Sequence, residues 1–532
     1  MRPPTYRLFS RPVLARLRWQ TGRDRYAKSE RSKDPPTMRR TRRRPSTAIH
    51  APAPTTGRHL GPTSLYQPMS EADVDLIIDT SIALLARSGV VFEPGTEADS
   101  LLTAAGCSVG EDGIVLIPEA VSRRALETVG KQCQLFDRGG ENPISIDCAH
   151  TRFMPGMTCI GVYDETSGEP RASNRDDLAR ITRLADGLPN IDAVCIGAKN
   201  VVESNLYGEV DEFLCLMENT TKPIEYLCEY PVSLDAAIEM ASLLRGGGDA
   251  LRARPYFLHL ITPLPVNFAA IHIEQIITAV RAGIPVGVGT LPIGGASSPI
   301  TLAGCLTHAL MTDIAAMVLG QLVEEGSFCI GCSDVNFMEP ATGAIGSFSQ
   351  NSLADMAACQ VRHRLGIPPL TGTGGCSVAP TFNQDAVWEL SSNMMQMFYN
   401  RPATCDYLGS LDQGLTFSEH ALLLCDDLAG LLKKMWEGVQ VSPEQIGADM
   451  IERLGPRGQY LAEPHTVENC RMQVWDSRYL GANFPLSNND IPQDDLKVRL
   501  DADLQARLAA PGPPPLDPAL RAQAGAVVDR FR

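Results

Sequence analysis

The chain has 532 residues with 47 Lys+Arg against 62 Asp+Glu, a formal net charge of -15, and that total averages two unlike parts. Residues 1–60 carry 16 basic and 3 acidic side chains, a net of +13, which leaves 31 and 59 over the remaining 472 residues, a net of -28. An acidic body of that size with 44% hydrophobic residues excludes a wholly disordered chain and a general nucleic-acid binder, which needs a basic face.

The first 60 residues are rich in Arg, Pro, Ser and Thr, with arginine runs at 39–40 and 42–44, and bury too little apolar surface to order themselves. They read as a disordered basic leader, as an extension ahead of a start at Met38 or Met69, or as an Arg-rich targeting peptide. Pro3, Pro4 and Pro12 weigh against the amphipathic helix the last would need. Order is expected from Met69, where Ser70 and Asp73 make a capping pair ahead of a helix carrying Val74, Ile77, Ile78, Leu84 and Leu85, stopped by Gly89. A helix over 97–105, a strand over 114–117 and a helix opened by Pro118 in its first turn follow. Residues 133–172 read as short strands, with a turn at 165–168. Residues 69–189 are therefore expected to form a small α+β region.

From about residue 190 short apolar runs alternate with helical stretches: 191–198, 223–228, 256–262, 285–291, 327–335, 369–374 and 404–411. Residues 302–322 show apolar positions at the spacing of one helix face, interrupted by His308, Asp313 and Gln321 where a membrane span needs about 20 mainly apolar residues. Thr416 with Glu419 reads as another helix start. Buried strands alternating with helices imply a parallel sheet. Seven or eight units over about 250 residues suggest an α/β fold of the (β/α)8 TIM-barrel kind over 190–440, with an open doubly wound sheet as runner-up and a C-terminal helical extension over 441–532. No Gly-x-Gly-x-x-Gly stands in a strand-to-helix context and no Walker A sequence is present.

Fifteen scattered cysteines read as small buried hydrophobes of a reduced, cytoplasmic compartment. Cys329 and Cys332 lie in a strand-like run and so point to opposite faces, which argues against a shared metal. In a barrel the residues just after each strand form the site. That rule picks out Lys199, Glu229, Asp334, Cys376, Asp406 and Tyr407; His259 reads as a core histidine, and neither a zincin nor an α/β-hydrolase signature is present.

Several segments then carry a family resemblance. These are Gly287 to Gly304, containing Ala-Ser-Ser-Pro-Ile-Thr-Leu-Ala-Gly; residues 338–346, Met-Glu-Pro-Ala-Thr-Gly-Ala-Ile-Gly; residues 363–369; Gly409 to Ser418; residues 446–449 and 458–461; Pro464-His-Thr466; and residues 513–518, together with the helix-like Asn174 to Asp186. In this order, over about residues 69–532, they resemble the trimethylamine methyltransferase superfamily. The resemblance implies transfer of a methyl group from a methylated amine to the Co(I) of a separate corrinoid protein, with no cofactor held tightly by this chain. Archaeal trimethylamine enzymes carry pyrrolysine in the segment similar to Thr371 to Ser377, and this sequence has only standard residues there. That points to the pyrrolysine-free branch, which resembles glycine betaine methyltransferases.

A quaternary ammonium already has a neutral leaving group, so the protein needs mainly to position it, by aromatic faces and a carboxylate. Under this reading Cys376, Asp334 and Glu229 are the expected catalytic residues. Phe337, Phe348, Phe382, Tyr407 and Phe268 are the cage candidates, and Lys199 or His363 would hold a betaine carboxylate. The expected partners are a corrinoid protein and a small methylated amine, with no nucleic acid, no membrane and room for a homo-oligomer. The competing readings are a quaternary-amine binding protein without catalysis and another barrel lyase or metal-assisted hydrolase.

Overall fold

The structure, a computed structural model, describes residues 58–59, 65–165, 167–338, 345, 348–371, 373–473, 475, 477–479 and 496–532, all within the compact unit Pro52–Arg532. The chain is an α/β protein. Its first helix, Glu71–Arg87, starts as expected: Ser70 Oγ accepts from the Asp73 N–H and the Asp73 carboxylate accepts from the Ser70 N–H. Such a box contributes roughly 1 kcal/mol. Pro118 stands one place earlier than expected, as the N-cap of Glu119–Thr128 rather than inside it. Thr416 lies in the short strand Thr416–Phe417, and Ser418 instead caps the helix Glu419–Trp436 by accepting from the Ala421 N–H.

Helix Leu302–Val323 departs from the expectation of a single buried face. It is buried nearly all round, including Asp313, Thr312 and Gln321, because helices pack on it from several sides and strand Cys329–Gly331 lies against it. It is long and apolar enough to cross a membrane, but 72% of its apolar window is buried inside the protein.

Seven parallel strands organise the body: β1 (Arg152–Pro155), β2 (Ile224–Leu227), β3 (Phe257–Ile261), β4 (Val286–Val288), β5 (Cys329–Gly331), β6 (Leu370–Thr371) and β7 (Thr404–Leu408). β2, β3, β4 and β5 pair in sequence, and β6 pairs with β7. β7 then pairs with β1, which comes from before residue 190. Residues 191–198 fill the place between β1 and β2: the Asp192 N–H donates to Phe153 O at 2.8 Å, and the Glu225 N–H donates to Val194 O at 2.8 Å. The parallel order is thus β6, β7, β1, 191–198, β2, β3, β4, β5, eight members long. The division at residue 190 cuts through it, because β1 belongs to this layer and not to a separate α+β region.

The inner faces of distant members meet. A Cβ on Gly287 of β4 would lie 2.6 Å from Leu260 of β3, 3.0 Å from Leu370 of β6 and 3.3 Å from the Cys332 sulfur. Between β5 and β6 no ladder is present among the described residues, and the helix between them is tied to the end of β5 by a side chain. Arg362, on helix Phe348–Leu365, donates through Nη2 to Asp313 Oδ2 at 3.2 Å and to the Ser333 carbonyl just after β5. Asp313 Oδ1 in turn accepts from Ser333 Oγ at 2.5 Å. Both members of the ion pair are 4% exposed.

The leader, expected to run to residue 60, gives way earlier: Arg58 bridges to His150, the His59 N–H donates to Ala149 O, and the His59 ring lies 4.8 Å from that of Trp436. Helix Leu496–Leu508 packs on Glu419–Trp436, and Pro518–Asp529 packs on helices 206–219 and 231–245.

Candidate functional site

Strand alternation decides which side chains enter the layer's interior. On β2 the Tyr226 ring packs on Phe213 of an outer helix at 4.9 Å, so its neighbour Glu225 faces inward. On β3 His259 bonds Gln275 Oε1 at 2.8 Å and Tyr226 O at 3.1 Å, the core role expected of it. On β5 Cys329 points out, its sulfur 3.7 Å from Ala316 O, while Cys332 turns in toward Gly287. On β7 Cys405 packs outward on Met394 at 3.9 Å, which sends Thr404 and Asp406 inward, Thr404 Oγ1 donating to Asp406 Oδ2 at 3.2 Å.

The register of β7 against β1 slips between Cys405 and Leu408, so Asp406 and Tyr407 lie in a bulge, and Tyr407 takes φ +61°. Left-handed backbone at a bulky residue costs roughly 1–2 kcal/mol and concentrates at functional positions. Burial raises the Tyr407 phenol, and the charges of Asp334, Cys376 and Asp406 act in the same sense. Asp334 is half-buried just past β5, its N–H donating to Thr290 O at 3.1 Å. Burial likewise keeps the Cys376 thiol protonated at neutral pH, with Cys159, Glu389, Cys425 and Asp412 acting in the same sense. Three of the expected site residues thus stand at the C-terminal ends of strands: Cys376 bridges to Ser410 just past β7, Tyr407 closes β7, and Asp334 follows β5.

Lys199 and Glu229 form a second group on the same rim. Lys199 Nζ is 3.7 Å from Glu209 and 3.9 Å from Glu229, and Glu209 also accepts from the N–H groups of Glu229 and Tyr230. Glu212 accepts from the Asn200 N–H at 2.8 Å, and its carboxyl is pushed up to about 7, first by burial and then by Glu209 and Asp211, against the pull of Lys199. The Lys199 charge is already answered by carboxylates of the chain.

The remaining candidates scatter. Phe337 is buried in a short pairing, 293–294 with 336–337, beyond the ends of β4 and β5, with its ring over Gly294. Phe382 lines a flank cavity of about 1000 Å³ with Trp388, Tyr399, Met356 and Met395, its ring 5.7 Å from His420. That cavity runs along helix Gln384–Asn400 and not over the strand ends. Phe268 stacks on Phe92 at 4.8 Å in an N-terminal sheet made of strands 90–92, 108–109, 114–116 and 267–268. His363 sits near the C-terminus of the helix that leads into β6, at the opposite end of the layer, and bonds Asn400 O at 3.0 Å. The Phe348 side chain lies outside the described residues, as does Gly372 within the Thr371 to Ser377 segment.

Sequence reasoning missed Glu225, Glu209, Glu212 and Arg362. For Glu225 a signal existed, one acidic residue inside an otherwise apolar six-residue run, 223–228. Both its carboxyl oxygens and Oδ1 of Asp406 lack a hydrogen-bond partner among the described residues. Burial raises both carboxyls, and the Glu225 charge further opposes ionisation of Asp406. Among the described residues no cluster of side chains suited to hold a metal ion is found.

The sequence matches the family model for trimethylamine methyltransferase (MTTB) over residues 37–532. It is 26% identical over 413 residues to trimethylamine methyltransferase MttB of Desulfitobacterium hafniense (strain DSM 10664 / DCB-2), covering 76% of this chain and 82% of that protein. It is 25% identical over 474 residues to the glycine betaine methyltransferase of Desulfitobacterium hafniense (strain Y51), covering 87% and 96%. The monomethylamine methyltransferase (MtmB) structure of Methanosarcina barkeri superposes with a TM-score of 0.42 at 11% identity, covering 88% of this chain and 94% of that one. With the model matched across most of its length, the chain belongs to the trimethylamine methyltransferase family and is a methyltransferase.

Proposed function

We propose that the protein moves a methyl group from a quaternary or tertiary methylated amine, such as a betaine, to the Co(I) of a separate corrinoid protein. The observation that carries this reading is Tyr407, held at φ +61° at the C-terminal end of β7 on the rim where Asp334 follows β5: an aromatic face and a carboxylate on one rim suit a cation with no N–H to donate. The eight-member parallel layer, with its inner faces in contact, is read as a (β/α)8 barrel closed between β5 and β6, so that Tyr407, Asp334 and Cys376 stand at its mouth. The units 69–189, 190–440 and 441–532 are then better divided with β1 inside the barrel.

In the reaction the C–N bond breaks as the methyl passes to the metal; a tetraalkylammonium leaves as a neutral trialkylamine and the acceptor becomes methyl-Co(III). The corrinoid supplies the nucleophile when its protein docks. The chain's own residues hold the cation with one methyl directed outward, and the loops beyond β4 and β5, with Phe337, frame the docking mouth. Such a contact is transient, and interfaces of that kind are modest in area. A cytoplasmic setting fits an acceptor that must be kept reduced.

The test mixes purified protein, a corrinoid protein held as Co(I) and a panel of methylated amines, reading methyl-Co(III) by absorbance. Formation with quaternary or tertiary amines supports the reading. Amine binding without any methyl transfer would leave a binding protein instead.

A further inference from the structure

We infer that Glu225 and Asp406 are the counter-charge for the substrate cation, holding protons before substrate binds and giving one up when a cation settles above them at Asp334 and Tyr407. The inference rests on the reading of the donor as a cation.

The geometry comes first. Both carboxyls face into the strand layer from β2 and β7, and they are 2% and 3% exposed. Asp406 has a single bond from Thr404, and Glu225 has none among the described residues. Around the pair stand Cys195 on 191–198, which lines one small cavity with Glu225, Cys332 and Asp334 after β5, and Tyr407 on β7, all neutral or acidic. Two buried guanidiniums belong to this part of the layer: Arg362 is bonded to Asp313 and Ser333, and Arg152 on β1, in register with Thr404, donates to Ser145 O at 2.9 Å and lies 3.7 Å from Asp192. Among the described residues neither carboxyl forms an ion pair, the guanidiniums being bonded elsewhere, and two desolvated like charges do not ionise together. Before substrate binds, the interior therefore keeps its protons.

A methylated ammonium over Tyr407 and Asp334 changes that balance. A fixed positive charge in a poorly hydrated space favours the carboxylate form beneath it. The step balances as one cation in and one proton out to solvent, with the charge of the site unchanged. After transfer the amine product is neutral, the stabilising charge is gone, and the pair takes a proton back as the product leaves. Glu225 and Asp406 act through the electrostatics of the site and touch no reacting atom, so they are positioning residues.

Calorimetric titration with tetramethylammonium chloride at pH 7, in two buffers of different ionisation enthalpy, counts the protons. About one proton released per cation is expected, and the Kd should fall by up to tenfold per pH unit across the titration of the pair. Glu225→Gln and Asp406→Asn, with folding checked by circular dichroism, should bring release toward zero and flatten the pH profile, while Glu225→Asp restores both in part. Binding without proton release, no binding, or unchanged release in both amide variants each overturns the inference. Methyl transfer to Co(I) corrinoid is measured in parallel. Transfer without proton release sinks this inference alone, and proton-coupled binding without transfer sinks only the proposed function.

Discussion

Replacing Glu212 by Gln should stabilise the protein at alkaline pH and leave it unchanged in acid. Glu212 is 3% exposed on helix Leu206–Asn219 and its carboxyl rises from 4.5 in the unfolded chain to about 7 in the fold. Between those values the native state binds more protons than the unfolded one, so the stability contribution is fully present below pH 4.5 and is lost as pH rises through 7. Each unit corresponds to about 1.4 kcal/mol, so the loss is about 3 kcal/mol. Unfolding entropy near 2.1 cal/mol/K per residue gives the roughly 440 described residues about 1 kcal/mol/K, so the shift in Tm is about 3 °C. Gln keeps the acceptor for the Asn200 N–H and removes the ionisation. Scanning calorimetry of both proteins from pH 4.5 to pH 8 should show coincident melting in acid and a variant about 3 °C more stable at pH 8. A gap that does not grow with pH, or a less stable variant at pH 8, refutes the assignment of burial as the dominant cause.

Three further outcomes follow from the same geometry. Tyr407→Asn retains a residue tolerant of φ +61° and loses the aromatic face; kcat/KM for a quaternary amine should fall roughly 2- to 30-fold, the span of one cation–π contact, with far-ultraviolet circular dichroism unchanged. Asp313→Ala strands the buried Arg362 charge and should cost about 3–5 kcal/mol in denaturant melts, whereas Asp313→Leu with Arg362→Met should recover most of it. Removing residues 1–57 should leave Tm within about 1 °C, while His59→Ala, which loses the ring contact with Trp436, should lower stability by about 0.5–1.5 kcal/mol.

Much of the strand layer was legible because buried parallel strands are continuous apolar runs, and each of the later runs sits on or beside an observed strand or ladder position. Arg152–Pro155 was not, because its four residues lie among short strand signals and nothing local says that it pairs with a strand some 250 residues later. The site divided in the same way. Residues at or just past strand ends, Asp334, Cys376 and Tyr407, follow from a positional rule, whereas Glu225 lies within a strand and is aimed inward by alternation. For the aromatic residues, sequence distance from strand ends does not tell the mouth of the layer from its flank, where Phe382 lies, or from the N-terminal sheet, where Phe268 lies.

The strand from before residue 190 also governs how the chain can be assembled. During synthesis Arg152–Pro155 emerges early and waits, one edge open, until Thr404–Leu408 arrives to cover it. Its neighbours 191–198 can dock at once, but the other edge stays an exposed template for most of translation. A polypeptide beginning at residue 190 would leave two members of the layer with no neighbour between them. A protease nick or an insertion between residues 172 and 190 should therefore be far more damaging than one in the solvent-exposed stretch 439–447, although the sequence draws a boundary near both.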